Sequence, residues 1–353
     1  MRLFVNNWLF SLKNRKTEIA FFIFGLGVFV YLVVRFGVGQ ITANIAGAGW
    51  SLLAATLVWF VIYVLSTFAW KLLLVKESRR VSFLNLLMVT VSGFSIDTIT
   101  PVVALGGEPY KVKALSSLIG MGQALSAVLV YRMVHVLGHM LILLAGALAA
   151  LAFLTLPVSW VWTLVVTAAV MLAIVILIIS GLRDGVFHRV QHLVERISLL
   201  HRFAPALKKH EHNFNEMDEV VTHAYRTRRG KFYGALLLEF LGRMLMGIEV
   251  YIILRGAGVE ISIISATFVF VAYSIIINVM FFIPLNLGVR EGGLFLGLQS
   301  LSLAPMLGIF LGVMIRIREL IWILLGLLLI LPLTRRSEKA AAFSEGRATG
   351  TLP

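Results

Sequence analysis

The chain predicts an all-α polytopic membrane protein, and three observations carry that prediction. Fifty-nine per cent of its 353 residues are hydrophobic and only 14% are charged. Apolar runs long enough to cross a ~30 Å hydrocarbon core recur from residue 18 to residue 333. The 31 Lys and Arg residues, which give a net charge of +14, gather in a few short segments between those runs. In a soluble protein such a charge points to nucleic acid; here it is the positive-inside pattern, with attraction to an anionic leaflet.

The elements follow in order. Residues 1–17 carry Arg2, Lys13, Arg15 and Lys16 and read as an uncleaved cytoplasmic or interfacial N-terminus. Apolar blocks then occupy residues 18–36, 50–75, 81–100, 115–154 and 158–182. Residues 183–231 are polar, hold six of the eight histidines, and read as a cytoplasmic amphipathic loop against lipid headgroups. Apolar blocks resume at 232–254, 261–282, 294–303 and 306–333, and residues 334–353 read as a disordered cytoplasmic tail. The membrane domain is thus 18–333. The absence of cysteine excludes disulfides, thiolate metal sites and thiol catalysis.

Two blocks are broken by Pro and Gly beside a carboxylate, from Pro101 to Gly106-Gly107-Glu108 and from Pro284 to Gly288, Arg290 and Glu291. Sliding the chain by 183 residues superposes Pro101 on Pro284 and Glu108 on Glu291, and brings Arg132 within one residue of Arg316. This predicts two repeats, about 50–154 and 232–333. Lys71, Lys76, Arg79 and Arg80 precede the first break, whereas only Arg255 and Glu260 precede the second. The first is therefore entered from the cytoplasm and the second from outside, which makes the repeats inverted. Counted as spans these blocks give about eight hydrophobic elements, read as about six transmembrane helices plus two re-entrant hairpins, with both termini cytoplasmic.

Charges inside apolar blocks mark the candidate site, because each costs about 2.5–3.5 kcal/mol at the centre of a lone helix unless it is paired or wetted. Glu108, Lys111, Lys113, Arg132, Arg290, Glu291 and Arg316 are the candidate substrate-binding residues. Unpaired N–H groups at the two breaks, with helix starts beside them, suit an anion such as a phosphate headgroup. The competing account is that Glu108 and Glu291 cap the hairpins or pair with Arg132 and Arg316. Asp97, His135 and Glu239 are candidates for proton coupling. His135 and His139 share a helical face, but packed histidines outweigh a metal site, and neither metal nor cofactor is expected. Pairs within single helices are Glu239 with Arg243 and Arg316 with Glu319. No G-x-S-x-G, P-loop or dinucleotide fingerprint occurs, which disfavours soluble catalysis.

Pro101 to Glu108 with the basic residues after it and Leu115, Tyr131-Arg132 in the next helix, and Pro284 to Glu291 together resemble the transmembrane region of lysylphosphatidylglycerol synthase, a flippase-like family. The resemblance spans roughly residues 18–333 and implies translocation of lipids, or a role in envelope lipid and glycolipid pathways. The chain departs from the family's pattern in having Lys111 or Lys113 where Arg is common, Tyr131 where Glu often precedes the helix Arg, and His135 where an acid often follows. The synthase's soluble aminoacyl-transferase domain is missing from this sequence, so lysyl-lipid synthesis is not implied.

The expected function is a lipid translocator that moves an anionic or zwitterionic lipid, or a lipid-linked headgroup, between the repeats in a prokaryotic inner membrane. Its partners would be membrane lipids and envelope-lipid biosynthetic enzymes. Nucleic acid is not expected. Two other classes stand beside this one: a membrane enzyme or accessory factor that uses the pocket from one face only, and a passive scaffold that tolerates Glu108→Gln and Glu291→Gln.

Overall fold

The computed structural model describes residues 49–74, 81–99, 107–183, 185–196, 211–281, 286 and 288–348, with no side-chain description at 192, 212–214 and 331–348. The expected crossing at 18–36, and Pro101 and Pro284 at the two breaks, lie outside these residues. The described residues form an all-α polytopic membrane protein.

Eleven helices are seen among them. The first four are α1 (Trp50–Leu73), α2 (Phe83–Ile99), α3 (Gly107–Ile119) and α4 (Met121–Phe153). Then come α5 (Val158–Gly181), α6 (Val186–Arg196) and α7 (Glu211–Thr227). The last four are α8 (Arg229–Gly256), α9 (Ile263–Val279), α10 (Val289–Ser300) and α11 (Leu307–Ala348). Helices α1, α4 and α5 are long and apolar enough to cross a membrane. Helix α8, at 28 residues, has the length but carries Glu239, Arg243 and Glu249 within it.

The run expected at 115–154 is divided at Gly120, whose φ of +81° only glycine adopts freely, so α3 and α4 meet at a sharp corner. Helix α10 begins five residues before its apolar block, because Glu291 folds back to accept from the Gly288 N–H at 3.0 Å. Where a disordered tail was expected from residue 334, the helix α11 continues to Ala348. Its Glu338-Lys339-Ala340-Ala341-Ala342 run consists of strong helix formers.

Helices α2 and α3 pack antiparallel: Asp97 meets Gly107, and the Lys111 side chain crosses Gly93, where no Cβ could fit. Helices α9 and α10 pack likewise, with Gly293 against Tyr273 and Gly297 against Val269. Both α2 and α9 have 17 residues, about 25 Å of helix, which is short of a bilayer span. Helices α1 and α8 also run antiparallel, as Gly234 faces Leu72 and Gly256 faces Ser51. The α2–α3 pair rests on α11, where Ser92 and Ser95 donate to the carbonyls of Gly326 and Trp322, each at 3.0 Å. The α9–α10 pair in turn contacts α4 through α9.

Small residues at these crossings let the backbones approach closely, which replaces the hydrophobic drive that lipid cannot supply. The core is filled by Val250, Phe268, Phe270, Leu294, Leu298 and Met314, all but fully buried. The outer faces carry exposed Leu57, Leu148, Trp162, Val166 and Ile176, as lipid contact requires.

At one end, α6 and α7 form a cap. Asp218 of α7 accepts from the N–H groups of Val186, Phe187 and His188 at 2.8–3.0 Å, closing the α6 N-terminus. Val221 and Tyr225 of α7 are buried with Val134, Leu137 and Phe232, so the apolar face of α7 rests on α4 and α8.

Candidate functional site

Charges in this interior meet each other. At the start of α3, Lys111 is fully buried, its Nζ 3.0 Å from Glu108 Oε1 and 3.4 Å from Asp97 Oδ2. Its ammonium also sits over the Phe94 ring, 4.6 Å from the centroid. Asp97 accepts from the Gly107 N–H at 2.8 Å, so the last turn of α2 caps the first of α3. Glu108 Oε1 then reaches Arg132 Nη1 of α4 at 3.4 Å, while Glu108 Oε2 is buried without a hydrogen-bond partner.

The start of α10 is built similarly. Glu291 Oε2 takes the Gly288 N–H and its Oε1 lies 3.3 Å from Arg316 Nε of α11. Arg316 Nη2 donates to the Asn286 carbonyl at 3.1 Å, and its Nη1 lies 3.7 Å from Glu319 Oε2. Arg290 Nη1 completes the group at 2.8 Å from Glu319 Oε1. Each short helix therefore presents a first-turn glutamate to an arginine of the long helix that follows it, Glu108 to Arg132 and Glu291 to Arg316.

A third cluster joins α4 to α8. Glu239 is buried; its Oε1 accepts from the Tyr131 hydroxyl at 3.1 Å and its Oε2 lies 2.9 Å from His135 Nδ1. Arg243, one turn on, has Nε 4.0 Å from Glu239 Oε2 and its Nη2 against the His135 ring. Gly138 is what allows this approach, since a Cβ there would stand 2.9 Å from Glu239 Cβ. The fourth cluster is the fork of Arg318 on Glu249, at 2.7 and 3.1 Å, under the Trp59 ring at 4.0 Å. Trp59 Nε1 also donates to Glu249 at 2.8 Å.

Across the four clusters the carboxylates are Asp97, Glu108, Glu239, Glu249, Glu291 and Glu319, and the cations are Lys111, Arg132, Arg243, Arg290, Arg316 and Arg318. Six negative charges thus face six positive ones. Pairing of this kind is what makes ionised groups tolerable at membrane depth.

Of the substrate-binding candidates, Glu108, Lys111 and Arg132 come together at one short helix, and Arg290, Glu291 and Arg316 at the other. Lys113 is half-buried and, two residues from Lys111, lies on a different face of α3. Capping and pairing, the competing account of Glu108 and Glu291, both occur: Glu291 caps and pairs, and Glu108 pairs. Among the proton-coupling candidates, His135 and Glu239 are in contact, while Asp97 belongs to the first cluster. Sequence reasoning missed the roles of Tyr131 and of the Trp59–Glu249–Arg318 group. Tyr131 gave a signal as an aromatic directly before an intramembrane arginine. Trp59 gave none, because it meets Glu249 across 190 residues of sequence. Among the described residues, no three His, Asp or Glu side chains gather in a way that would hold a metal ion.

One family model matches the chain, over residues 18–327, and describes the lysylphosphatidylglycerol synthase TM region. No curated protein and no solved structure matches it.

Proposed function

The chain belongs to the lysylphosphatidylglycerol synthase TM region family, and on that premise we propose that this integral membrane protein is a lipid translocator. It moves an anionic or zwitterionic lipid, or a lipid-linked headgroup, along a polar path between two inverted repeats. The observation that carries the reading is the recurrence of one pair, Glu108 with Arg132 and Glu291 with Arg316, at the starts of two short helices 183 residues apart. A charged headgroup needs fixed partners of both signs along its way, and an interior that is already ion-paired can exchange them without exposing bare charge to lipid.

In this reading α1–α4 and α8–α11 are the two repeats, and α2–α3 and α9–α10 are re-entrant hairpins entered from opposite faces. The antiparallel run of α1 and α8 supports the inversion, as does the rest of each hairpin on a long helix of the other half. Both termini lie in the cytoplasm and the membrane is a prokaryotic inner membrane. The supporting fact is the basic segment at 183–231, with Arg226 and Arg228 donating to the carbonyls of Arg183 and Leu74 at helix ends. The partners are membrane lipids and enzymes of envelope-lipid synthesis.

Reconstitution into phosphatidylcholine–phosphatidylglycerol liposomes with fluorescent lipids tests this. Dithionite quenching of inner-leaflet probe above the protein-free background is the expected result. With folded protein and no lipid class moved above background, the translocator reading fails and a non-transporting enzyme or accessory factor takes its place.

A further inference from the structure

His135 is held between an acceptor and a donor. Its Nδ1 lies 2.9 Å from Glu239 Oε2, an oxygen that can only accept. Arg243 Nη2 stands 3.1 Å from Nδ1 and in closer contact with Nε2. A guanidinium offers no lone pair, so Nε2 faces it as an acceptor. The contacts therefore assign a neutral imidazole with its hydrogen on Nδ1. On α4 the ring is flanked by Tyr131, Arg132 and His139. From α8 it meets Glu239 and Arg243. From α2 it meets the uncharged Phe94 ring, at 5.1 Å between centroids, and Lys111 of α3 sits over that same ring at 4.6 Å.

Among the described residues the four clusters are balanced, six charges against six, and the one this ring touches holds Glu239 against Arg243. An anionic headgroup entering it leaves the interior one unit negative, which a hydrocarbon surrounding opposes. Lys and Arg are already charged and cannot correct this. A proton on one of the six carboxylates would take a partner from a buried cation. A proton on His135 would not, because Arg243, pushed from Nε2, still has Glu239 4.0 Å from its Nε.

The geometry points to a coupled proton-and-anion site: His135 Nε2 takes one proton from water as an anionic headgroup binds, and Arg243 swings off the ring to share Glu239 and meet the anion. One N–H bond forms at Nε2 as one O–H bond of a hydronium ion breaks to leave water, and the added positive charge offsets the negative charge of the headgroup. The inference rests on the translocator reading and names its substrate as net anionic and its driving ion as the proton. The moving contact joins α4 to α8, one helix from each half, so proton uptake loosens the seam between them.

The test uses the full chain in detergent at pH 7 with a pH-indicator dye in weak buffer. The probes are dihexanoylphosphatidylglycerol, dihexanoylphosphatidylcholine and sn-glycerol 3-phosphate, with binding followed by equilibrium dialysis. Uptake of about one proton per bound phosphatidylglycerol is expected, with a Kd that rises about tenfold per pH unit, and no uptake with phosphatidylcholine. His135→Gln, whose amide can still donate to Glu239 and accept from Arg243, is expected to bind phosphatidylglycerol at least about tenfold more weakly, with a Kd that no longer follows pH and less than about a tenth of the proton uptake per lipid bound. Should that variant not fold, 15N-histidine-labelled protein reads Nε2 directly, and its resonance moves to the protonated position on lipid addition. Binding without proton uptake, or undiminished uptake by His135→Gln, overturns this inference and leaves the translocator reading standing. No binding of any lipid overturns both. Glycerol phosphate reproducing the uptake keeps the coupling and makes the anion a soluble phosphate, which overturns the lipid reading alone.

Discussion

Arg318 of α11 grips Glu249 of α8 through two contacts, Nε to Oε1 at 2.7 Å and Nη2 to Oε2 at 3.1 Å, with both side chains at least 96% buried. The Trp59 indole of α1 covers the guanidinium and donates to the carboxylate, so three helices meet at one ion pair. Both carboxylate oxygens are engaged, Oε1 by Arg318 and Oε2 by Arg318 and Trp59, which makes this group a lock rather than a docking point.

Removing one partner therefore leaves an uncompensated buried charge. Glu249→Gln or Arg318→Met is expected to cost about 3–5 kcal/mol, whereas the double replacement Glu249→Leu with Arg318→Met recovers most of that loss. Thermal unfolding of the three variants in one detergent measures this. A double variant as unstable as the sum of the singles contradicts it.

Gly138 sits where α4 and α8 are closest, and the β-carbon of alanine would stand 2.9 Å from Glu239 Cβ. Gly138→Ala is expected to destabilise by about 1–3 kcal/mol through overpacking and to separate His135 from Glu239. Gly122, whose Cβ would meet nothing within 4 Å, is the control site. Equal melting temperatures for Gly138→Ala and Gly122→Ala would remove the steric argument.

Asp218 satisfies three N–H groups at the start of α6. Asp218→Ala is expected to cost about 1–2 kcal/mol, confined to the cap. Hydrogen exchange should then quicken at residues 186–190 while α1 and α8 stay protected. Unchanged exchange at α6 would show that the cap contributes nothing to its stability.

How much of this was legible beforehand follows from the range of each interaction. The apolar blocks were legible because a bilayer imposes one length and one polarity on every crossing. Glu239 with Arg243 and Arg316 with Glu319 were legible because helical spacing places them on one face. The Glu108–Arg132 and Glu291–Arg316 pairs are legible only as one of two alternatives, since the repeat displays both members but not their separation. Trp59, Glu249 and Arg318 were not legible as a group, because tertiary packing alone brings α1, α8 and α11 together. The same holds for Asp218, which caps a helix 32 residues before it in the chain.

The absence of cysteine makes the topology testable without background. Ser117, exposed near the end of α3, is expected on the cytoplasmic face, and the exposed Thr155 and Ser302 on the opposite one. Single Ser117→Cys, Thr155→Cys and Ser302→Cys variants in inverted and right-side-out vesicles, labelled with an impermeant maleimide, read this directly. Ser117 and Ser302 reacting from the same face would contradict inverted hairpins.

Glu108 and Glu291, each presented to an arginine of the next long helix, are expected to line the path of the headgroup. The initial rate of fluorescent phosphatidylglycerol translocation by Glu108→Gln/Glu291→Gln protein, matched to wild type for folded amount, tests it most directly. A rate at least about tenfold lower is expected, a change in barrier of about 1.4 kcal/mol or more. A double variant that moves lipid at the wild-type rate would contradict it and leave the two pairs as structural ties.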